Sequence, residues 1–442
     1  MKFCKYIIIS VIVIVMNFTY IGVFAANNEY SDIKPKDRFY EDVKKLSDRP
    51  HEPITCEEFT KILLNLIGVN LKPAENDKSD KIYIDYAVNN QLVTKDEVKN
   101  NEFGLERPIS RGIMTKMIIL AADIEIAEID SPFTDKSNIY MNTAYDEYLI
   151  QGVYDDAGNL VCNLQSNISR AETAVIFSGL IKYLDNPYEY KKEIILYNAE
   201  NNIITNESEI LDLYYVINKE FITEFTFITS FSITELSRFY DLGDMLFMDI
   251  FQANKIKYSH YGNSNETTIK LMYDTNLNII KTRTFDSIVM AENAVKKIIN
   301  NNMTEKEKVR AIHDYIILNC EYDYDNYIKG TIPEASYRIY GVFENKKAVC
   351  RGYTSAFNLM CKIAGIKVIS VLGKDSGIGA HSWNAVLIDN TIYFVDTTFD
   401  DPVPDVKGKI LDTYFMIPAN KISGAAHEWD KNMTQKKYFY RF

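Results

Sequence analysis

The stretch from His381 to Asp396 leaves the chain little choice of local fold. HSWNAVLI and TIYFVD are apolar, rich in β-branched and aromatic residues, and separated only by Asp389-Asn390. They read as two antiparallel strands joined by a two-residue turn. A turn of that length fixes the register: Leu387 faces Ile392, Ala385 faces Phe394 and Trp383 faces Asp396. Side chains alternate between faces, so His381 shares a face with Trp383 and therefore with Asp396. Diagonal neighbours of this kind stand ~7–8 Å apart by backbone, a gap that an imidazole and a carboxylate can close.

Upstream, AVCRGYTSAFNLMCKIAGI repeats apolar or aromatic residues at Cys350, Tyr353, Ala356, Phe357, Met360, Cys361 and Ala364, a helical stripe closed by Gly365. Cys350 opens the helix, where the dipole favours thiolate, and a nearby imidazolium brings a cysteine from ~8.5 into the range ~3.5–7.5. Cys361 lies three turns in on the apolar face and reads as an inert small hydrophobe. Cys350 is thus the candidate nucleophile, His381 its base and Asp396 the group that orients the base. Before this helix, Thr304 and Glu307 form a capping-box pattern ahead of the stripe Val309, Ile312, Ile316 and Ile317. Cys320 reads as a buried structural thiol and His313 as a solvated or core-edge histidine.

The wording of these segments goes further than their spacing. AVCRGY, HSWN and YFVDTTFDDP resemble the three active-site motifs of the transglutaminase-like superfamily, in its order Cys, His, Asp. EYDYD, the Tyr340 segment and TYFM also fit, so the resemblance covers roughly residues 286–420. It implies an α+β papain-like transglutaminase core over 286–442, with Cys350 as nucleophile, His381 as general base and acid, and Asp396 as the orienting carboxylate. The implied substrate is a protein or peptide amide, attacked to give a thioester that passes to an amine or to water. The backbone N–H of Cys350 is the expected oxyanion donor. Its partner stays open, because no Gln precedes Cys350 at the short spacing that papain-like enzymes often use. No cofactor is expected. Asp400, Asp401 and Asp405 are interrupted by Pro402 and Pro404 and lack a recognised ligand spacing, so no metal is expected either.

The N-terminal half is repetitive. PITCEEFTKILLNLIG from Pro53, PISRGIMTKMIILAA from Pro108 and NISRAETAVIFSGLI from Asn167 align on Ile54, Ile109 and Ile168, at intervals of 55 and 59 residues. Each pairs a Thr or Ser N-cap with an amphipathic run, and Ser169 with Glu172 has capping-box spacing. Short helices from Lys81 and from Phe133 onward precede two of them. Units of this length must stack to bury their apolar faces. Phe133-Thr-Asp, Ala144-Tyr145, Gly152, Tyr154, Gly158 and ISRAE resemble an S-layer homology module, over roughly residues 29–185. The resemblance implies α-helical repeats in three-fold array that hold an anionic cell-wall polymer through Arg170 and Arg111. Cys56 stands at the Arg position of the first copy and Gly112 at the Ala position of the second, and the first copy runs from FYEDV almost directly into PITCEEF.

The chain of 442 residues is therefore expected to be multidomain. Residues 1–25 read as a signal peptide (Lys2 and Lys5, an apolar run from Tyr6 to Met16, then Val23-Phe24-Ala25), 26–186 as the S-layer-homology-like repeats, and 187–285 as a small α+β connecting domain. That last stretch carries no chemistry motif, its lone His260 reading as surface or packed. Loss of Lys2 and Lys5 moves the net charge from −12 to −14, which argues against nucleic acid as a partner. Export implies a secreted, cell-surface or wall location and no membrane association after cleavage. The five cysteines beyond Cys4 are odd in number and irregular in spacing, unlike a disulfide framework. The competing expectation is a non-catalytic wall-binding scaffold that keeps the fold without the reaction.

Overall fold

Three backbone hydrogen bonds close the look-alike segments into a ring. Ile54 N–H donates to Ile168 O (3.1 Å), Ile168 N–H to Ile109 O (3.3 Å) and Ile109 N–H to Ile54 O (3.0 Å), with all three side chains fully buried. This is a computed structural model in which residues 46, 49–69, 71, 81–201, 204–229, 236–250, 252–253, 255–260, 266–273, 275–375, 377, 379–424 and 427–440 are described. The signal-peptide reading and FYEDV lie outside the described residues. The chain divides into two compact units, one through Ile194 and one from Ile195.

In the first unit each isoleucine leads into a helix: Cys56–Leu66, Arg111–Ala121 and Arg170–Asp185, capped by the side chains of Thr55, Ser110 and Ser169. A helix start leaves backbone donors without intrahelical acceptors. Here the neighbouring copies supply them in cyclic order: Cys56 N–H to Arg107 O (2.8 Å), Arg111 N–H to Ser166 O (2.8 Å) and Arg170 N–H to Glu52 O (2.9 Å). The capping box at Ser169 and Glu172 is formed, and Thr55 with Glu58 makes another. The two intervening helices, Lys81–Asn89 and Ile139–Asp146, end alike: Ala87 O accepts from Leu92 and Val93, and Ala144 O from Leu149 and Ile150.

Arg111 and Arg170 lie at the junctions between copies. Both are buried. Arg170 donates to Glu58 Oε1 at 2.7 Å, while Arg111 donates to Cys162 O and Gln151 O and lies 3.6 Å from Glu172. A first-turn side chain in this ring points across to the next copy, so its charge is spent on the neighbour's glutamate. At the corresponding positions of the remaining junction stand Cys56 and Ile113, both buried and apolar.

Residues 187–285 were expected to form a small domain of their own; 195–285 fall in one compact unit with 286–442, and 187–194 in the other. Ion pairs are among the contacts that join 195–285 to the later helices. Arg351 grips Asp244 with two nitrogens, and Lys362 meets Asp249 at 2.8 Å. The helices of 195–285 include Glu207–Lys219 and Leu236–Phe247, and its strands include Glu266–Met272. Glu266–Met272 is the middle strand of an antiparallel sheet with Glu224–Ile228 and Lys255–His260.

The larger sheet of this unit runs in the order Thr391–Val395, Gly379–Ile388, Lys367–Asp375, His427–Glu428, antiparallel throughout. The hairpin has the register that its turn dictates, with Ile392 opposite Leu387 and Phe394 opposite Ala385. Asp389 (φ 49°) and Asn390 (φ 59°) both occupy the left-handed region that such a turn demands and that Asp and Asn tolerate. The helix Cys350–Ile363 lies on this sheet and ends at Gly365 (φ 72°). Its inner face joins Val309, Ile312 and Ile316 of the helix Glu305–Asn319 in one core, with Tyr353, Phe357, Met360 and Val386.

Candidate active site

Cys350 is the first residue of its helix. It is delivered there by a short parallel pair, Glu321–Tyr322 with Lys347–Ala348. Gly352 lets the first turn seat, since a Cβ there would stand 2.7 Å from Ser336 O and 2.8 Å from Ala348 Cβ. Among the described cysteines Cys350 is half-buried and the others are buried. Cys361 is fully buried, and burial holds its thiol well above the ordinary range. Cys320 is also buried, its thiol pushed up to about 12.

His381 and Asp396, brought together by the hairpin register, meet at 2.7 Å from Nε2 to Oδ2, with both side chains fully buried. The imidazole is held in plane by Phe399 on one side (4.4 Å between centroids, 17° between planes) and is also stacked with Trp383 (5.7 Å, 27°). With Nε2 committed to the carboxylate, Nδ1 is the nitrogen left for the thiol. It is buried and makes no well-formed hydrogen bond, as is common before a substrate tightens a catalytic contact. The strand is tied to the helix by Asn384, which donates to Thr354 O (3.1 Å), and by Thr354 and Ser382, whose hydroxyls meet at 3.1 Å.

The electrostatics follow from this arrangement. Burial alone raises the Cys350 thiol, but contact with His381 and Ser382 outweighs it and the net shift is downward. Burial alone lowers His381, but the charge and bond of Asp396, helped by Cys350, raise it to about 10. Burial also opposes ionisation of Asp396, and the two histidines bonded to it outweigh that and lower it. The three groups therefore favour thiolate, imidazolium and carboxylate together.

Several participants were not visible in the sequence. His427, on the last strand, bonds the same Asp396 Oδ2 at 2.8 Å. His313 is not a solvated or core-edge residue. It is fully buried, with Nδ1 2.9 Å from Asp314 and Nε2 3.2 Å from Asp400, because it falls on the same helical face as Val309 and Ile316. Asp400 in turn accepts the Tyr414 N–H, and Asp401 accepts the Tyr353 hydroxyl. Asp400 and Asp401 are thus buried struts of the loop, and burial lifts Asp401 to about 7. A signal existed for these two, since adjacent acids beside an active-site motif need buried partners. None existed for His427.

His381, Asp396 and His427 each offer a donor atom, all within 4.8 Å of one another. Their contacts of 2.7 and 2.8 Å are hydrogen-bond spacings. Near the helix start, Tyr322 and Tyr337 sit close enough to feel the Cys350 charge, which adds to burial in raising both phenols.

The family model of the transglutaminase-like superfamily matches residues 292–397. Kyphoscoliosis peptidase of Mus musculus is 26% identical over 122 residues, and that of Homo sapiens 27% over 122 residues. Each match takes in 25% of this chain and 18% of the relative, so the chain spans less than a fifth of the length of these relatives. A crystal structure of a TGase aligns with 40% of this chain and 50% of its own, at 15% identity and a TM-score of 0.26. Cys350, His381 and Asp396 all fall inside the matched segment, whereas His427 falls outside it. Residues 292–397 are a transglutaminase-like domain.

Proposed function

We propose that this chain is an exported, wall-associated enzyme whose transglutaminase-like domain is a cysteine acyltransferase or amide hydrolase. The observation that carries the reading is the single imidazole whose Nε2 is committed to Asp396 while its charge lowers the Cys350 thiol. The Cys350 thiolate attacks an amide carbonyl of a protein or peptide. The Cys350 N–H, at a helix start where donors lack intrahelical acceptors, faces the developing oxyanion. The C–N bond breaks as His381 protonates the leaving amine, and Asp396 holds the ring for both transfers. The thioester then passes to an amine or to water, and His381 takes a proton from whichever arrives. The name of the peptidase relatives fits the hydrolytic branch.

Export rests on the signal-like residues 1–25, and wall association on the resemblance of the N-terminal segments to S-layer homology modules. The closed ring of three copies is compatible with that resemblance. The polymer contacts in this reading are Arg170 and Arg111, which lie at the junctions between copies. Sedimentation of the full-length protein with purified cell walls tests this half, and a protein that stays in the supernatant removes it. Mass spectrometry of Gln-containing peptides, with and without a primary amine, tests the chemistry. Cys350→Ala and His381→Ala abolish turnover if the reading is right. A folded chain whose Cys350 alkylates no faster than a free thiol at pH 6 is the scaffold instead.

A further inference from the structure

We propose that His427 is a positioning residue of this site, a second imidazole that clamps the carboxylate on which His381 turns. The inference rests on the thiol reading above. Asp396 has two oxygens, and the site fills both: Oδ1 accepts the Phe399 N–H at 3.1 Å, while Oδ2 accepts from His381 at 2.7 Å and from His427 at 2.8 Å. Without His427, Oδ2 would be held only by His381, the ring it has to orient, and the carboxylate would keep a single outside anchor, the Phe399 N–H on Oδ1. His427, converging on the same oxygen from a separate strand, supplies a second. The rings support the same geometry. His427 stands edge-on to Trp383 (4.7 Å, 87°) and to Phe399 (5.2 Å, 68°), the two residues that stack on His381.

His427 reaches the site by a route of its own. Its strand adds to the edge of the sheet, with His427 opposite Asp375 and Glu428 opposite Lys374, and lies beyond the family-matched segment. The transglutaminase-like domain therefore has its triad from one stretch of chain and its clamp from another. The ionisable groups about Asp396 are His381 and His427 on their strands, Asp400 in the following loop with its partner His313, and the Tyr414 phenol. Cys350 acts on it through His381. Among the described residues, the two imidazoles are the side chains that donate to the carboxylate oxygen that holds the base.

The test needs no substrate. Iodoacetamide alkylation of Cys350 in the full chain, followed by peptide mass spectrometry from pH 5 to pH 9.5, reads the thiolate fraction directly. His427→Phe keeps a ring in the cage and removes the N–H. A loosened Asp396 then supports the imidazolium less well, and the rate at pH 6 falls about tenfold, the effect of one unit in the thiol's titration. At pH 9.5 wild type and variant converge, because the thiol is then ionised in both. His427→Gln restores an amide N–H and recovers most of the pH 6 rate. An unchanged pH 6 rate in His427→Phe overturns the proposal, as does an equal loss at every pH, which would report altered access. Failure of His427→Gln to recover the rate also overturns it. A wild-type Cys350 that is sluggish at pH 6 is a separate result, and it removes the thiol reading on which the clamp rests.

Discussion

Gly373 is the register partner of His381, and no larger residue fits there: a Cβ would stand 2.2 Å from Glu428 O and 2.6 Å from Trp383 Cη2. The absent side chain lets the final strand and the tryptophan close over the imidazole. Gly373→Ala is therefore expected to push that strand outward, at a cost of ~1–3 kcal/mol from overpacking against backbone. It should also slow Cys350 alkylation at pH 6, since His427 moves with Glu428. Denaturant unfolding and alkylation of one preparation check both effects, and wild-type behaviour in each would show that the strand has slack.

The thiols should separate cleanly. Cys350 is expected to alkylate at pH 6 far faster than Cys320 or Cys361, because its thiol is lowered while burial raises the other two. Cys361→Ala should keep the reactivity of Cys350 and lose on the order of 1 kcal/mol, the cost of trimming a small buried group. Peptide mapping of a brief iodoacetamide pulse decides the ranking.

Stability should carry the signature of the imidazolium. The folded value of His381 is raised from 6.5 to about 10, so its contribution is complete below pH 6.5 and is lost as pH climbs through about 10. Asp396 is lowered, so its share is complete above the ordinary carboxylate value of ~3.9 and is lost only in stronger acid. The gap in melting temperature between wild type and His381→Phe should therefore be widest near pH 5–6 and shrink steadily toward pH 10. A gap that stays flat across that range would mean that His381 rests neutral.

What the sequence revealed of this site was whatever short-range rules determine. The two-residue turn Asp389-Asn390 dictates which residues of the hairpin oppose one another, and that alone brings His381 to Asp396. The helical stripe puts Cys350 at an N-terminus and Cys361 in the core. His427 followed no such rule, because a strand of two residues has no periodicity and its pairing to Lys374 and Asp375 is a long-range event. His313 was misread for a related reason. Its face was legible, but the buried Asp400 that satisfies it comes from a loop far along the chain. Among the contacts that join 195–285 to the core are those of Asp244 and Asp249, acids whose partners Arg351 and Lys362 nothing local identifies.

The N-terminal ring offers a double-mutant test of its own symmetry. Arg170 with Glu58 and Arg111 with Glu172 serve two junctions, and Cys56 with Ile113 occupies the equivalent places at the third. Arg170→Ala should cost ~1–3 kcal/mol, because it leaves bonding groups at the junction unsatisfied. Cys56→Arg should destabilise by a similar amount, since its counterpart is an isoleucine. Adding Ile113→Glu to Cys56→Arg should recover part of the loss, with a coupling energy of about 1 kcal/mol in a double-mutant cycle. Strict additivity would show that the third junction is not equivalent to the other two.

The circular order of those backbone bonds also limits how such a module can change in size. In a linear stack a repeat can be added or dropped at either end and the rest carry on, with a specialised piece sealing each terminus. Here each copy seals the next, and Arg107, Ser166 and Glu52 each cover a helix start in another copy. Deleting one would uncover backbone donors in its neighbour and strand a carbonyl in the other. A fourth would find no vacancy. The number of copies is thus set by closure, and the divergent first copy, whose Cys56 departs most from its siblings, is kept because the other two have no lid without it.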